Sequence, residues 1–133
     1  MKLNSANAMD ALLFRIDSTN PKERLSRNFQ LREFASKCGS HQVLIHPMLL
    51  VALQAIQDEY GASISITSGY RTPNHNASVG GAPNSLHTLG MAVDVAGDDL
   101  DRIAKIAMDL GMVVRPYPNK NFVHLDVGKP RNW

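Results

Sequence analysis

The chain has 133 residues, of which 44% are apolar and 20% are charged, and this length and composition are typical of one globular domain. Its single cysteine, Cys38, excludes a disulfide framework within the chain. The 14 basic and 12 acidic residues leave a net charge of +2 without a run of lysine or arginine, which argues against a nucleic-acid partner. No apolar stretch reaches the ~18 residues of a membrane span or forms a signal-peptide core. The sequence therefore predicts a monomer that is made in the cytoplasm and has no membrane partner.

The first part of the chain differs in composition from the rest. Residues 1–25 are polar, show no apolar periodicity and include Pro21. Such a segment is typical of a flexible N-terminal arm, and its first residues fit the remnant of an expression tag equally well. We therefore expect the folded domain to span residues 26–133.

Two stretches carry the apolar spacing of helices. The first is short, runs from Leu31 to Cys38 and is closed by Gly39, a residue that tolerates a left-handed helix cap. The second begins at Pro47 and ends just before Gly61, with one apolar face along its length.

Alternating apolar and polar residues predict strands in the second half of the chain. The strands fall at residues 63–67, 91–96, 112–115 and 121–127, the last two forming a hairpin. A third helix is expected to begin near Asp99. Residues 70–90 hold prolines, glycines and asparagines and are expected to form a long loop with little regular structure. This order favours an α+β domain with a single, mostly antiparallel sheet packed on helices.

The last predicted strand carries the residues that are best suited to metal binding or catalysis. Alternation places Phe122, His124 and Asp126 on one face of it, and His87 precedes Asp94 of an earlier strand by seven residues. Two imidazoles and one carboxylate with an open position suit a catalytic zinc ion, if the two strands are neighbours. Taken alone, His124 and Asp126 are equally typical of a solvated strand face, and Asp94 of a turn cap.

Three segments at fixed spacing resemble a known family. They are Ser68-Gly69-Tyr70-Arg71-Thr72-Pro73 with Asn76 and Gly80-Gly81, then Ser85-Leu86-His87-Thr88-Leu89-Gly90-Met91-Ala92-Val93-Asp94, and finally Phe122-Val123-His124-Leu125-Asp126-Val127-Gly128 with Arg131 and Trp133. Together they resemble the zinc D-Ala-D-Ala carboxypeptidase family, in the His-x-Asp branch that includes murein endopeptidases and phage lysins. The resemblance runs from about Phe29 to Trp133 and implies the hedgehog/DD-peptidase fold for the domain of residues 26–133, with one zinc ion per chain held by His87, Asp94 and His124.

The activity implied by this resemblance is hydrolysis of peptidoglycan stem peptides that contain D-amino acids, by a carboxypeptidase or a murein endopeptidase. Such an enzyme would act at the cell wall if it is encoded by a phage or prophage. Two alternatives stay open at this point. One is a lysin that cuts the L-Ala-D-Glu bond, and the other is a cell-wall or virion module that keeps a zinc site without turnover.

The general base is the part of the site where the sequence departs from the family pattern. Many relatives carry a glutamate three residues before the last histidine, where this chain has Asn121. Asp126 shares a strand face with His124 at roughly 7 Å along the chain, so we expect it to act as the base that accepts the proton of the attacking water. The reverse assignment, with Asp126 as the ligand and His124 as the base, is also compatible with zinc.

Arg71 is expected to bind substrate or to stabilise the oxyanion, since a guanidinium suits either a terminal carboxylate or a tetrahedral intermediate. Its simpler interpretation is a surface arginine that closes the loop by a salt bridge. Ser85 is expected to contact substrate or to orient the loop, and turn capping fits it as well. Tyr70 and Trp133 are expected to line the cleft, although aromatic residues are more often packed in a core.

Overall fold

The computed structural model describes residues 2–131. Eight strands and three helices follow one another along these residues, together with short 3-10 turns. They are β1 (Leu12–Arg15), β2 (Arg24–Ser26), β3 (Phe29–Gln30), β4 (Gln42–Ile45), α1 (Pro47–Tyr60), β5 (Ser65–Ser68), α2 (Pro73–Ser78), β6 (Ala92–Ala96), α3 (Leu100–Asp109), β7 (Val113–Tyr117) and β8 (Phe122–Asp126). Within this part of the chain no helix has the length and hydropathy needed to cross a bilayer.

Three antiparallel sheets make up the β structure. The largest has the strand order β5-β6-β8-β7, while β1 pairs with β4 and β2 pairs with β3 in two-stranded sheets. The α+β class is therefore confirmed, but the expectation of a single sheet is not. The extra strands have two to four residues each, which is too short for an alternating pattern to stand out in the sequence.

The segment expected to be a flexible arm contains regular structure. Residues 12–15 form β1, and the backbone amides of Leu3 and Ala6 donate hydrogen bonds to the carbonyls of Leu110 (2.7 Å) and Val127 (2.8 Å). None of the four residues of β1 is buried, so the strand lacks the alternation of buried apolar and exposed polar residues that predicts strands from sequence. A domain boundary at residue 25 stays a prediction.

Helices α1 and α3 contact each other, and α3 also contacts β7 and β8. Helix α1 has the predicted limits because Pro47 suits its first position and Gly61 closes it in the left-handed conformation, at φ 73°. Its residues Leu53 and Ile56 are fully buried, as are Val93 of β6 and Leu125 of β8. Each such side chain contributes about 1.5–3 kcal/mol by leaving water. This core fixes β6 and β8 side by side.

The predicted long loop over residues 70–90 contains more regular structure than expected. Thr72 caps α2 by accepting a hydrogen bond from the amide of His75, and Ser85 caps a 3-10 turn over Leu86–Leu89 by accepting one from the amide of His87. Both caps use hydroxyl side chains, as helix N-termini prefer. The first predicted helix is shorter than expected, a 3-10 turn over Leu31–Phe34.

Candidate metal centre and cleft

The register of the four-stranded sheet brings two of the predicted ligands together. Asp94 of β6 lies directly opposite His124 of β8, so both side chains extend from the same face of the sheet. His87 reaches the same point from the 3-10 turn that precedes β6. Oδ1 of Asp94 lies 3.3 Å from Nε2 of His87 and 3.2 Å from Nδ1 of His124. One ligand atom from each residue lies within 4.8 Å of the others, and all three residues are buried.

The orientation of His87 is fixed by the backbone. Its Nδ1 lies 2.9 Å from the carbonyl oxygen of Gly69, which can only accept a hydrogen bond. Nδ1 therefore carries the proton, and the lone pair of Nε2 points towards Asp94. Gly69 has no room for a side chain, because a Cβ there would lie 2.7 Å from Cα of Phe34. The close approach of these two backbone segments thus holds the carbonyl that orients the imidazole.

The ring of His124 lies between two carboxylates. Its Nε2 is 2.7 Å from Oδ2 of Asp126, on the side away from Asp94. Asp126 is fully buried and also accepts hydrogen bonds from the amide of Gly128 (2.9 Å) and from both Nη atoms of Arg131, at 3.2 and 2.6 Å. A carboxylate behind a histidine in this manner favours a proton on Nε2 and leaves the lone pair of Nδ1 directed at Asp94.

These three residues fit a zinc ion. With the tautomers described, Nε2 of His87, Nδ1 of His124 and a carboxylate oxygen of Asp94 present electron pairs to one another, an arrangement that requires a proton or a cation between them. Two imidazoles and one carboxylate are a ligand set that zinc accepts in catalytic sites. Each of the three has an outer partner that holds it, namely Gly69, Asp126 and, for Asp94, Arg71.

Burial and hydrogen bonding shift the pKa values of this cluster in opposite directions. Burial raises the pKa of Asp94, but its contacts with the imidazoles of His124 and His87, which favour the ionised carboxylate whenever an imidazole is protonated, outweigh burial and hold the pKa at about 2. Burial lowers the pKa of His124, while Asp126 and Asp94 raise it above its usual value. Burial also raises the pKa of Asp126, but hydrogen bonds from His124, Arg131 and Gly128 lower it below the usual range. Without a metal, the cluster thus favours ionised carboxylates and shifts His124 towards its doubly protonated form relative to an ordinary histidine.

The cluster opens into a cleft of about 280 Å³. We define the cleft by the residues that line it, which include the three clustered residues and Arg71, residues 79–82 as one wall, and Tyr117, Lys120 and Phe122 of the hairpin. The rings of Tyr117 and Phe122 are stacked with centroids 4.8 Å apart. Within the described chain Asp94 is the only carboxylate that lines the cleft.

Arg71 is held at the edge of this cluster by three side chains. Its Nε donates to Oγ of Ser68 (3.0 Å), one Nη to Oδ1 of Asn76 (3.2 Å) and the other Nη to Oδ2 of Asp94 (3.3 Å). Only 17% of the side chain is exposed. The arginine therefore forms the salt bridge of its simpler interpretation, but with a residue of the cluster, and it also lines the cleft.

The other predicted site residues occupy different surroundings. Ser85 lines the cleft and caps the turn that carries His87. Tyr70 is buried among core residues, does not line the cleft and has a pKa raised by burial. Trp133 lies outside the described residues. Cys38 is exposed and its Sγ lies 3.2 Å from Oγ of Ser36.

Asn121 has a backbone role that the sequence alone did not suggest. It adopts the left-handed conformation, with φ 58° and ψ 37°, where the hairpin turns into β8. Asparagine is one of the few residues with a side chain that adopts this conformation readily. Asn121 does not line the cleft and borders a separate pocket beside Gly97 and Asp99. Asn121 is therefore not among the residues that surround the candidate metal site.

Sequence reasoning gave no role to Tyr117, Lys120 or Phe122 as a wall of the cleft, or to Arg131 as the partner of Asp126. The shared face of Phe122 and His124 was visible from alternation and is the one signal that pointed to this wall. The positions of the others depend on how the hairpin and the chain after β8 turn back on the site.

Comparison with known proteins agrees with this geometry. Residues 27–126 match the model of the peptidase M15 family. The chain is 36% identical over 99 residues to the peptidoglycan L,D-endopeptidase MepK of Escherichia coli, covering 67% of this chain and 54% of that protein. It is 37% identical over 98 residues to the probable peptidoglycan L,D-endopeptidase MepK of Haemophilus influenzae, covering 65% and 53%. The chain thus spans about half the length of the curated relatives it matches. The match of the family model over most of the chain shows that the protein belongs to the peptidase M15 family.

Proposed function

We propose that this chain is a zinc-dependent endopeptidase that hydrolyses peptide bonds of peptidoglycan. The observation that carries the proposal is the convergence of His87, Asp94 and His124, with Arg71 beside them, in a cleft open to substrate. Membership of a peptidase family supports hydrolysis, and the names of the two relatives support peptidoglycan as the substrate.

In this proposal His87, Asp94 and His124 hold the metal. When bound, zinc lowers the pKa of a coordinated water towards about 7 and polarises the scissile carbonyl. Gly69 and Asp126 fix the two imidazoles through the ring nitrogens that face away from Asp94. Ligands held in this way need little reorganisation when the metal arrives.

Arg71 stabilises negative charge on the substrate. Its guanidinium is fixed by Ser68 and Asn76 and lines the cleft next to Asp94. A donor fixed before the reaction stabilises a developing oxyanion better than one that must move. The same fork also suits a substrate carboxylate. Lys120 adds a second positively charged residue to the lining of the cleft.

We assign Asp126 a positioning role in place of the base expected from the sequence. Its two oxygens are occupied by His124, Gly128 and Arg131, and the residue is fully buried. It does not line the cleft. A base must come within hydrogen-bond reach of the proton that it accepts, whereas an orienting carboxylate needs contact only with the imidazole.

The bond that we propose is an internal one between an L- and a D-configured centre, other than the L-Ala-D-Glu bond, by analogy with the names of the two relatives. Carboxypeptidase action on D-Ala-D-Ala ends and cleavage of the L-Ala-D-Glu bond are the other outcomes that the test must separate. We propose the cell wall as the place of action and one zinc ion per chain as the cofactor.

Digestion of purified muropeptides, followed by mass spectrometry, tests the proposal. We expect internal cleavage of cross-linked or stem peptides by the zinc-loaded protein, and no cleavage by His87→Ala at equal concentration. Release of single D-alanine would identify a carboxypeptidase instead, and products that begin at D-glutamate would identify the L-Ala-D-Glu bond. Stoichiometric zinc without any product would contradict catalysis and favour a non-catalytic wall-binding module.

A further inference from the structure

We propose that Asn76 is a positioning residue, which fixes Arg71 and one wall of the cleft in a single geometry through the two ends of its side-chain amide. The inference rests on the proposed function for the role of Arg71. It concerns a residue that contacts neither the clustered ligands nor, in the proposal, the substrate.

One end of the amide contacts the arginine. Oδ1 of Asn76 accepts a hydrogen bond from an Nη atom of Arg71 at 3.2 Å. The other Nη and the Nε of Arg71 are directed at Asp94 and Ser68. The guanidinium is thus held at three points, of which Asn76 supplies the only neutral amide oxygen. Loss of this contact leaves only the hydrogen bonds to Ser68 and Asp94, so the guanidinium is held less firmly in its plane.

The other end of the amide contacts the wall formed by residues 79–82. Nδ2 of Asn76 donates to the carbonyl of Ala82 at 2.9 Å, and the backbone carbonyl of Asn76 accepts from the amide of Gly81 at 2.8 Å. Gly81 and Ala82 both line the cleft. A Cβ at Gly81 would collide with the side-chain amide of Asn76, so glycine is required for this contact. The wall therefore lies directly against the asparagine.

Asparagine is the side chain that satisfies both contacts, with Arg71 at one end and with Ala82 at the other. Asn76 is only 4% exposed, so each end of its amide depends on a protein partner. The guanidinium only donates and the carbonyl of Ala82 only accepts, which fixes the orientation of the amide. Aspartate keeps the acceptor for Arg71 but loses the donor to Ala82. Alanine loses both contacts.

Kinetics in two backgrounds test the coupling to Arg71. Asn76→Ala is expected to lower kcat/KM on muropeptides by on the order of 10-fold to 100-fold, because the guanidinium loses its fixed position, while zinc content stays unchanged. In an Arg71→Ala background the same change should lower it by no more than about two-fold, since residues that act through one contact are not additive. Asn74→Ala, an exposed change on the same helix, is the matched control and should be silent in both backgrounds.

Hydrogen exchange tests the contact with the wall without any need for turnover. Asn76→Asp and Asn76→Ala should both speed exchange at the amides of Gly81 and Ser85, which donate to Asn76 and Ala82, while exchange in β6 stays slow. Asn76→Asp should retain more kcat/KM than Asn76→Ala, because it keeps the acceptor for Arg71.

Equal losses of activity in both Arg71 backgrounds, or unchanged exchange at Gly81 and Ser85, would overturn the positioning role. A wild-type protein without peptidase activity would refute the proposed function instead, and the exchange measurement would still decide whether Asn76 holds the wall. Faster exchange throughout β6 in both variants would show that Asn76 acts on global stability, which also overturns the inference.

Discussion

Nε2 of His124 lies 2.7 Å from Oδ2 of Asp126, on the side of the imidazole ring that is turned away from Asp94. Two residues of one strand face thus contact each other instead of both facing the cleft. The arrangement makes the carboxylate an anchor for the ring, and Arg131 anchors the carboxylate in turn. A negative charge at Asp126 also strengthens the electron donation of His124 to a metal.

The first prediction concerns this pair. Asp126→Asn keeps the shape of the side chain but removes its charge, so zinc affinity should fall by roughly 10-fold to 100-fold, as measured by titration against a competing chelator. Arg131→Ala should shift the affinity in the same direction by less, since it only loosens Asp126. Asp109→Asn on the exposed side of α3 serves as the control. Unchanged zinc affinity with kcat lowered by about 10² in Asp126→Asn would restore the base role expected from the sequence.

The second prediction concerns metal content. The protein should bind about one zinc ion per chain, and His87→Ala should lose stoichiometric binding because two protein ligands hold zinc poorly. Elemental analysis after dialysis gives the answer. His75→Ala is a suitable control, since His75 lies on α2 in the same loop region but outside the cluster. Retention of one zinc in His87→Ala would place the metal elsewhere.

The third prediction concerns Arg71. Arg71→Ala should lower kcat by on the order of 10² to 10³, as is typical for loss of one oxyanion donor, with zinc content preserved. Arg71→Lys should recover little of this, because an ammonium cannot contact Ser68, Asn76 and Asp94 together. Kinetics on purified muropeptides measure both variants. Activity near that of wild type in both would reduce Arg71 to a structural salt bridge.

The sequence predicted the fold best where apolar periodicity is long. The limits of α1 agree with the prediction because Pro47 and Gly61 mark them chemically. The strands β6, β7 and β8 were expected within a residue or two of their observed limits. Strand β1 was missed because Leu12 and Leu13 are both exposed, so its pairing with β4 leaves no alternating pattern. Backbone pairing of this kind is not encoded in side-chain hydropathy.

At the site, the sequence predicted the residue types but not the directions of the side chains. The motif indicated His87, Asp94 and His124 as candidate ligands, and these three residues lie together in the structure. Alternation placed Asp126 on the face of His124, but it could not show that the ring itself separates Asp126 from Asp94. For Tyr70 the sequence left open whether the ring lines the cleft or packs in the core, and its core position depends on how the chain turns after β5.

The fourth prediction concerns acid stability of the metal-free protein. The folded pKa of Asp94, about 2, lies below the ordinary value of 3.8 because the contacts with His124 and His87 outweigh burial. The resulting stabilisation, about 2 kcal/mol, is present above pH 3.8 and is lost as the pH falls towards 2. Denaturant unfolding between pH 2 and pH 7 should show this slope, with Asp126 adding to it because its pKa is also lowered. Asp94→Asn should flatten the slope, whereas Asp109→Asn should leave it intact. Equal slopes in wild type and Asp94→Asn would contradict the assignment.

The last prediction concerns Asn121, which occupies the position of the missing glutamate. Its left-handed backbone, with φ 58°, costs other residues about 1–2 kcal/mol. Asn121→Gly should therefore keep the free energy of unfolding within a few tenths of a kcal/mol, while Asn121→Ala should lower it by about 1 kcal/mol, as measured by denaturant unfolding. Asn121→Glu should bring no gain in kcat, because residue 121 borders the pocket beside Gly97 and Asp99 and does not line the cleft. A rise in kcat for Asn121→Glu would show that this hairpin turn can present a base to the substrate, and the backbone explanation for asparagine would then be wrong.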